Sequence, residues 1–410
     1  MPPQDERTWV RLSALCANSA ARNFEKHLHI DRCQAAERLP LVKYDPSLDG
    51  VRAFAVMAVL FFHLPGASPN VGLLPGGWIG VDLFFVLSGY LITSILKGEL
   101  DETGTVRLKR FYLRRVLRLM PAFAALLMVT TVLGALSKSH LHDALQAGFF
   151  AATYTMNWYR AFSDGPLWLL GHSWSLAIEE QFYLVWPAAL LLIKSKHRTA
   201  VVVVLILAVI AWRFWLLAQG AQPDRIYYGF DTRADALLIG CLLALCPAIF
   251  PKHPFATITA FAVILLGSLA AVRESTFTQT IGMPVIAIAA AVLIAGLHSG
   301  NALRRVFVLP PLVFTGRISY GLYLWHLPVM DVVPTRFPQV SSLALIVLSY
   351  SAAVASFFVI ERPFLKMKSR WDGPRAAAPL PQDQASGATL PDPSQLSDTQ
   401  QTCQSHPREG

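Results

Sequence analysis

The chain has 410 residues, 54% of them hydrophobic and only 15% charged, with a mean hydropathy of +0.45. Soluble domains carry about 25% charged residues, so a soluble globular enzyme is excluded. The formal charge of +9 does not mark a nucleic-acid surface, because lysine and arginine gather in the N-terminal segment and in alternate short loops, the positive-inside pattern of a multi-pass membrane protein.

Residues 1–43 are polar with scattered aliphatics and lack the apolar core of a signal peptide; they are expected to form a cytoplasmic extension. Ten apolar runs follow, predicting membrane helices over about 50–65, 77–96, 119–137, 174–193, 199–218, 233–250, 255–272, 280–297, 311–330 and 340–360. The segment ALQAGFFAATYTM (144–156) is too short to span and is expected to be re-entrant or interfacial. With the N-terminus inside, the inner loops hold the basic run Lys97–Arg118, the pair Arg304–Arg305 and the cluster after Arg362. The outer loops hold only Lys138, Arg160, Arg225, Arg273 and Arg336. Both termini are therefore expected in the cytoplasm. Residues 365–410 are rich in Pro, Ser, Gln and Asp and are predicted to be a disordered tail. The five cysteines show no CxxC spacing, and no HExxH, Walker A or GxSxG motif is present, so neither a disulfide framework nor a metal site is expected. The fold class is thus an all-α polytopic membrane protein, with a membrane domain over 44–364.

The first span, VRAFAVMAVLFFHL (51–64), carries Arg52 near its start and His63 near its end. Eleven helical steps rise roughly 16 Å and return to nearly the same face. The second span, GGWIGVDLFFVLSGYLIT (76–93), runs back, so a hairpin can bring Asp82 level with His63. Ionisable groups inside a bilayer are costly and face a partner. A His–Asp pair would hold the imidazole in one tautomer; the alternative is a buried ion pair that only fixes helix register. In RFYLRRVLRLMP (110–121), Arg115 and Arg118 share a face at the cytoplasmic start of the third span. They suit bidentate phosphate binding, or serve as ordinary positive-inside anchors. GHSWSLAIEEQFYLVWP (171–187) takes His172, Glu179 and Glu180 into a span from outside, which makes the two glutamates candidates for the acceptor side. His172 itself reads as a solvated loop residue. GRISYGLYLWHLPVM (316–330) places His326 in the outer half of the ninth span, as a candidate for the acceptor side or as part of an interfacial aromatic belt.

Taken together, YDPSLDGVRAFAVMAVLFFH, GGWIGVDLFFVLSGYLIT, FYLRRVLRLMP, HSWSLAIEEQFYLVWP, SYGLYLWHLPV and IERPF resemble, in order, the integral-membrane acyltransferase 3 family. The resemblance covers residues 44 to 364. It implies an O-acyltransferase of the bacterial cytoplasmic membrane that uses acyl-CoA, most often acetyl-CoA, and no metal. It further implies a carbohydrate or lipid-linked sugar as acceptor, of the kind found in surface polysaccharide or lipopolysaccharide. The family pattern falls on His63 and Asp82 as the catalytic pair and on Arg52, Arg115 and Arg118 as donor-binding residues. The rival class is a flippase for a lipid-linked sugar, whose mark would be an internal repeat of broken helices; the polar motifs of the two halves do not match.

Overall fold

The computed structural model describes residues 44–371, except 69, 70 and 138. The expected extension (1–43) and the tail beyond 371 lie outside the described residues. Between these limits the chain is overwhelmingly helical, and the only sheet among the described residues is a two-stranded antiparallel ribbon, β1 (Pro65–Ser68) and β2 (Val71–Gly72).

α1 (Pro46–His63) starts where the Asp45 carboxylate accepts from Ser47 N at 2.9 Å and Pro46 fills the first turn. It ends at Leu64, extended ahead of Pro65. α2 (Gly80–Thr103) stops at Gly104, whose φ of +71 is the left-handed cap that glycine adopts freely. α3 (Leu108–Leu136), α4 (Leu141–Ala152) and α5 (Met156–Phe162) follow, then α6 (Trp174–Leu192), α7 (Arg198–Ala218) and the short α8 (Pro223–Tyr228). α9 (Phe230–Leu245), α10 (Pro254–Ala270) and α11 (Met283–His298) complete the middle of the chain. The C-terminal part holds α12 (Arg304–Phe307), α13 (Pro310–Arg317), α14 (Ser319–Arg336), α15 (Ser342–Ser356) and α16 (Arg362–Trp371).

Each of the ten predicted spans falls on helix. Six helical segments among the described residues are long and apolar enough to cross a membrane, and α10 is a shorter apolar one. Two expectations gain detail. The 311–330 run is not one helix but α13 and α14, parted at Ile318. The 144–156 segment is mostly α4, whose 12 residues rise about 18 Å, well short of the roughly 30 Å hydrocarbon core.

α9 is the central helix, apolar and buried on nearly every side. It lies close against α2 because both present glycine at the crossing. A Cβ on Gly89 would stand 1.9 Å from Leu237 O, and one on Gly240 would stand 2.1 Å from Val86 O. Small residues let helix backbones approach closely inside a membrane. Gly89→Ala should therefore cost about 1–3 kcal/mol or more, seen as a lower melting temperature in detergent. Gly98→Ala, with open space around its Cβ, is the control and should not lower it.

Candidate active site

α1 is unbroken from Arg52 to His63, and its two polar residues open onto different cavities. Arg52 lines a small pocket of about 180 Å³, shared with Arg115 and Arg118 of α3, Ser88 of α2 and Glu179 of α6. His63 lines a cavity of about 1080 Å³ that contains His172, Arg160 and several aromatic side chains. Val81 and Tyr323 line both spaces.

In the arginine pocket, Arg52 Nη1 donates to Asp49 Oδ1 at 2.8 Å, a pair at i,i+3 on one helix face. Arg115 Nε donates to Glu180 Oε1 at 2.9 Å, and its guanidinium lies over the Tyr183 ring. Ser88 Oγ donates to Glu179 Oε1 at 2.9 Å. Arg118 is exposed and makes no hydrogen bond among the described residues. The glutamates therefore stand elsewhere than expected. Glu179 lines the arginine pocket and Glu180 neutralises Arg115; neither lines the larger cavity. The reason is depth and charge: five residues beyond Trp174, the helix has risen about 8 Å, and there Arg115 faces it. Arg115 is accordingly already satisfied, and Arg118 is the guanidinium most open to a ligand.

At the other end of α1, three histidines meet. The His63 and His326 ring centroids are 5.0 Å apart, and those of His172 and His326 are 5.3 Å apart. His63 Nδ1 lies 2.9 Å from Val59 O. A carbonyl oxygen only accepts, so Nδ1 carries the proton and the Nε2 lone pair is free. His326 is held in the same way, with Nδ1 2.6 Å from Tyr323 O. His326 Nε2 and both ring nitrogens of His172 have no hydrogen-bond partner among the described residues. His172 is thus a buried neighbour of His326 and not the solvated loop residue that the sequence suggests. Tyr323 ties the group together: its hydroxyl donates to His172 O at 2.9 Å and lies 2.5 Å from Ser175 Oγ. No group of three or more His, Cys, Asp or Glu side chains among the described residues is arranged to hold a metal ion.

Asp82 requires a correction. The α1–α2 hairpin does not bring it to the His63 ring, whose polar contact is Val59 O. Asp82 Oδ1 instead lies 3.0 Å from Arg233 Nη2 of α9, with both side chains about 1% exposed. Next to it Arg213 of α7 pairs with Asp235 of α9, and both arginines donate to Met283 Sδ of α11. A full guanidinium within reach attracts a carboxylate far more strongly than a neutral imidazole does. Asp82 thereby joins α2 to the central helix, and the tautomer of His63 is set by the backbone of its own helix. The sequence held the signal for this network, since Arg213, Arg233 and Asp235 are ionisable residues at the edge of or within apolar runs.

The large cavity is walled by Trp78, Trp168, Trp174, Tyr227 and Tyr228, flat faces of the kind that pack against a sugar ring. Arg273 is fully engaged in this wall. It donates to the Tyr228 hydroxyl at 2.7 Å and to Glu274 Oε1 at 2.9 and 2.7 Å. Burial raises the pKa of the Glu274 carboxyl, but the Arg273 hydrogen bonds and charge outweigh it and hold the group below its ordinary value.

Comparison with known proteins gives the family. The acyltransferase 3 family, described as an acyltransferase domain, matches residues 45–362. The peptidoglycan O-acetyltransferase OatA of Listeria monocytogenes is 36% identical, over 79% of this chain and 56% of that protein. A putative O-acetyltransferase of Staphylococcus aureus is 36% identical over 79% of this chain and 58% of its own. The putative peptidoglycan O-acetyltransferase YrhL of Bacillus subtilis is 36% identical over 78% and 55%. The chain spans about half the length of the curated relatives it matches. No solved structure gives a significant match. The family match extends from the cap of α1 to the first residue of α16 and takes in both cavities, and the chain belongs to the acyltransferase 3 family.

Proposed function

We propose that the protein is a membrane O-acetyltransferase that moves acetyl from acetyl-CoA, bound at the arginine pocket on the cytoplasmic side, to a hydroxyl of a bacterial surface glycan held in the large cavity. The observation that carries this reading is the single helix α1, with Arg52 in one cavity and His63 in the other and only Val81 and Tyr323 shared between them. The relatives' printed names point to peptidoglycan as the glycan. The arginine pocket, about 180 Å³, is below the roughly 300–1,000 Å³ of drug-sized ligand sites. It suits the slender pantetheine arm of the donor, with Arg118 and Arg52 available to the phosphates. The acceptor hydroxyl gives its proton to His63 Nε2 as its oxygen attacks the thioester carbonyl carbon. The tetrahedral oxyanion then collapses, the C–S bond breaks, and the thiolate leaves with the proton returned from His63.

In this reading the protein spans the bacterial cytoplasmic membrane ten times with both termini inside. The support is the charge asymmetry of the loops. Reporter fusions at residue 200 and after residue 370 should read cytoplasmic, and fusions near 140 and 222 periplasmic. An external signal at residue 200 contradicts the ten-span order.

The donor assignment is tested at Arg118. Arg118→Ala should raise the KM for acetyl-CoA by about 10-fold or more, the worth of a charge-assisted hydrogen bond, with Arg118→Lys recovering part of the loss. Arg115→Ala should behave differently and lower the melting temperature, because it strands Glu180. Wild-type KM in Arg118→Ala places the donor elsewhere.

A further inference from the structure

The wall of the large cavity contains a half-buried guanidinium, that of Arg160, with no carboxylate counter-ion among the described residues; Arg336, also without an ion pair there, is exposed. Three arginines line the space, Arg160, Arg273 and Arg336, against two carboxylates, Glu274 and Asp331. Arg273 is saturated by Glu274, by the Tyr228 hydroxyl and by Asp224 at 3.3 Å. Arg160 is not. It sits on α5 and spends one donor, Nη1, on Gly171 O at 3.1 Å. Its guanidinium lies over the Tyr228 ring, 3.9 Å from the centroid. Among the described residues no carboxylate comes within ion-pair distance of it. Asp224, the acidic group whose charge reaches it, is held by Arg273. A guanidinium has five N–H donors in a rigid fork, so most of that fork is unspent. The Gly171 bond and the Tyr228 face hold it in place in advance, which lowers the cost of binding. Arg160, His63 and His172 line the same cavity.

We propose that Arg160 binds an anionic group of the acceptor, a carboxylate or a phosphate ester, and so sets which hydroxyl reaches His63. The proposal rests on the reading of this cavity as the acceptor site. The acceptor is then an acidic glycan or a sugar phosphate. The fork of Arg160 takes two oxygens of the anion while the sugar ring lies along the aromatic wall. The buried histidines alone offer no permanent charge for that task.

The test is direct binding to the full-length protein in detergent, followed by ligand-detected NMR, so that it does not depend on turnover. N-acetylmuramic acid is compared with its methyl ester, and N-acetylglucosamine 1-phosphate with N-acetylglucosamine. The wild type should bind one of the acids about 10–100-fold more tightly than its neutral counterpart, and the acid preferred identifies the source of the anion. Arg160→Gln keeps a donor for Gly171 O and should abolish that preference while binding the neutral sugar as before. Arg160→Lys should restore part of it, and the melting temperatures of both variants verify the fold. Equal binding of acid and neutral forms by the wild type, or no binding of any of the four, overturns the proposal. So does a preference that survives in Arg160→Gln. Acetyl transfer from acetyl-CoA is assayed on the same samples: a wild type that discriminates the acid but transfers nothing contradicts the proposed function and leaves the anion site standing.

Discussion

His63→Ala should lower acetyl transfer by about 10²–10⁴-fold, the usual worth of a general base, while acetyl-CoA binding and the melting temperature change little. The geometry explains why the loss falls on turnover. His63 Nδ1 is committed to Val59 O, so the residue has one free nitrogen, Nε2, and that nitrogen has no structural bond to lose. Its ring lines the cavity where a hydroxyl would arrive, and Arg52 of the same helix lies in the other pocket. His326→Ala is the comparison that separates chemistry from packing. His326 touches the His63 ring but is tied by its own Nδ1 to Tyr323 O, so its removal should loosen His63 and cost less than removing His63 itself. A His63→Ala protein that turns over at the wild-type rate removes the base from this residue. An equal loss in His326→Ala would move it to the pair.

The second large effect is on stability. Asp82→Ala should destabilise the protein by about 3–5 kcal/mol, because it leaves Arg233 buried and charged without its partner. Asp82 and Arg233 are each about 1% exposed, so water cannot replace the lost carboxylate. Breaking one partner of a buried pair costs far more than replacing both. The double change Asp82→Leu with Arg233→Met should therefore melt well above Asp82→Ala, and it should regain part of the acetyl transfer if His63 supplies the chemistry. Thermal melting of the three variants in detergent, with transfer assays on the same preparations, decides the point. An Asp82→Ala protein that melts like the wild type yet is inactive would return Asp82 to the reacting groups.

The Arg52–His63 stripe was legible in the sequence because both residues lie on one continuous helix, where period and rise are fixed by backbone geometry. The positions of the apolar helices were legible for a related reason, since the length of an apolar run reports a long apolar helix whatever its packing. Partners across helices were not. Asp82 finds Arg233 on a helix far along the chain, and nothing in residues 76–93 distinguishes that outcome from a turn toward His63. The glutamates 179 and 180 were placed by the direction in which their span enters, whereas their depth along α6 and the pull of Arg115 decided their side. His172 reads as a loop residue because Gly171, His172 and Ser173 form only one short turn, yet that turn is folded under α14. Arg160 reads as a loop charge for the same reason. Its lack of a counter-ion becomes visible only once Arg273 is seen to hold both Glu274 and Asp224.

The central claim is that donor and acceptor meet from opposite ends of α1. Proteoliposomes of known orientation, with peptidoglycan fragments sealed in the lumen and radiolabelled acetyl-CoA added to the side of the arginine pocket, test it most directly. The account predicts labelled acetyl on the sealed glycan, lost in His63→Ala, with no label when acetyl-CoA is supplied only on the acceptor's side. Label that appears only when donor and glycan share a side, or glycan that crosses the membrane without gaining an acetyl group, would contradict it.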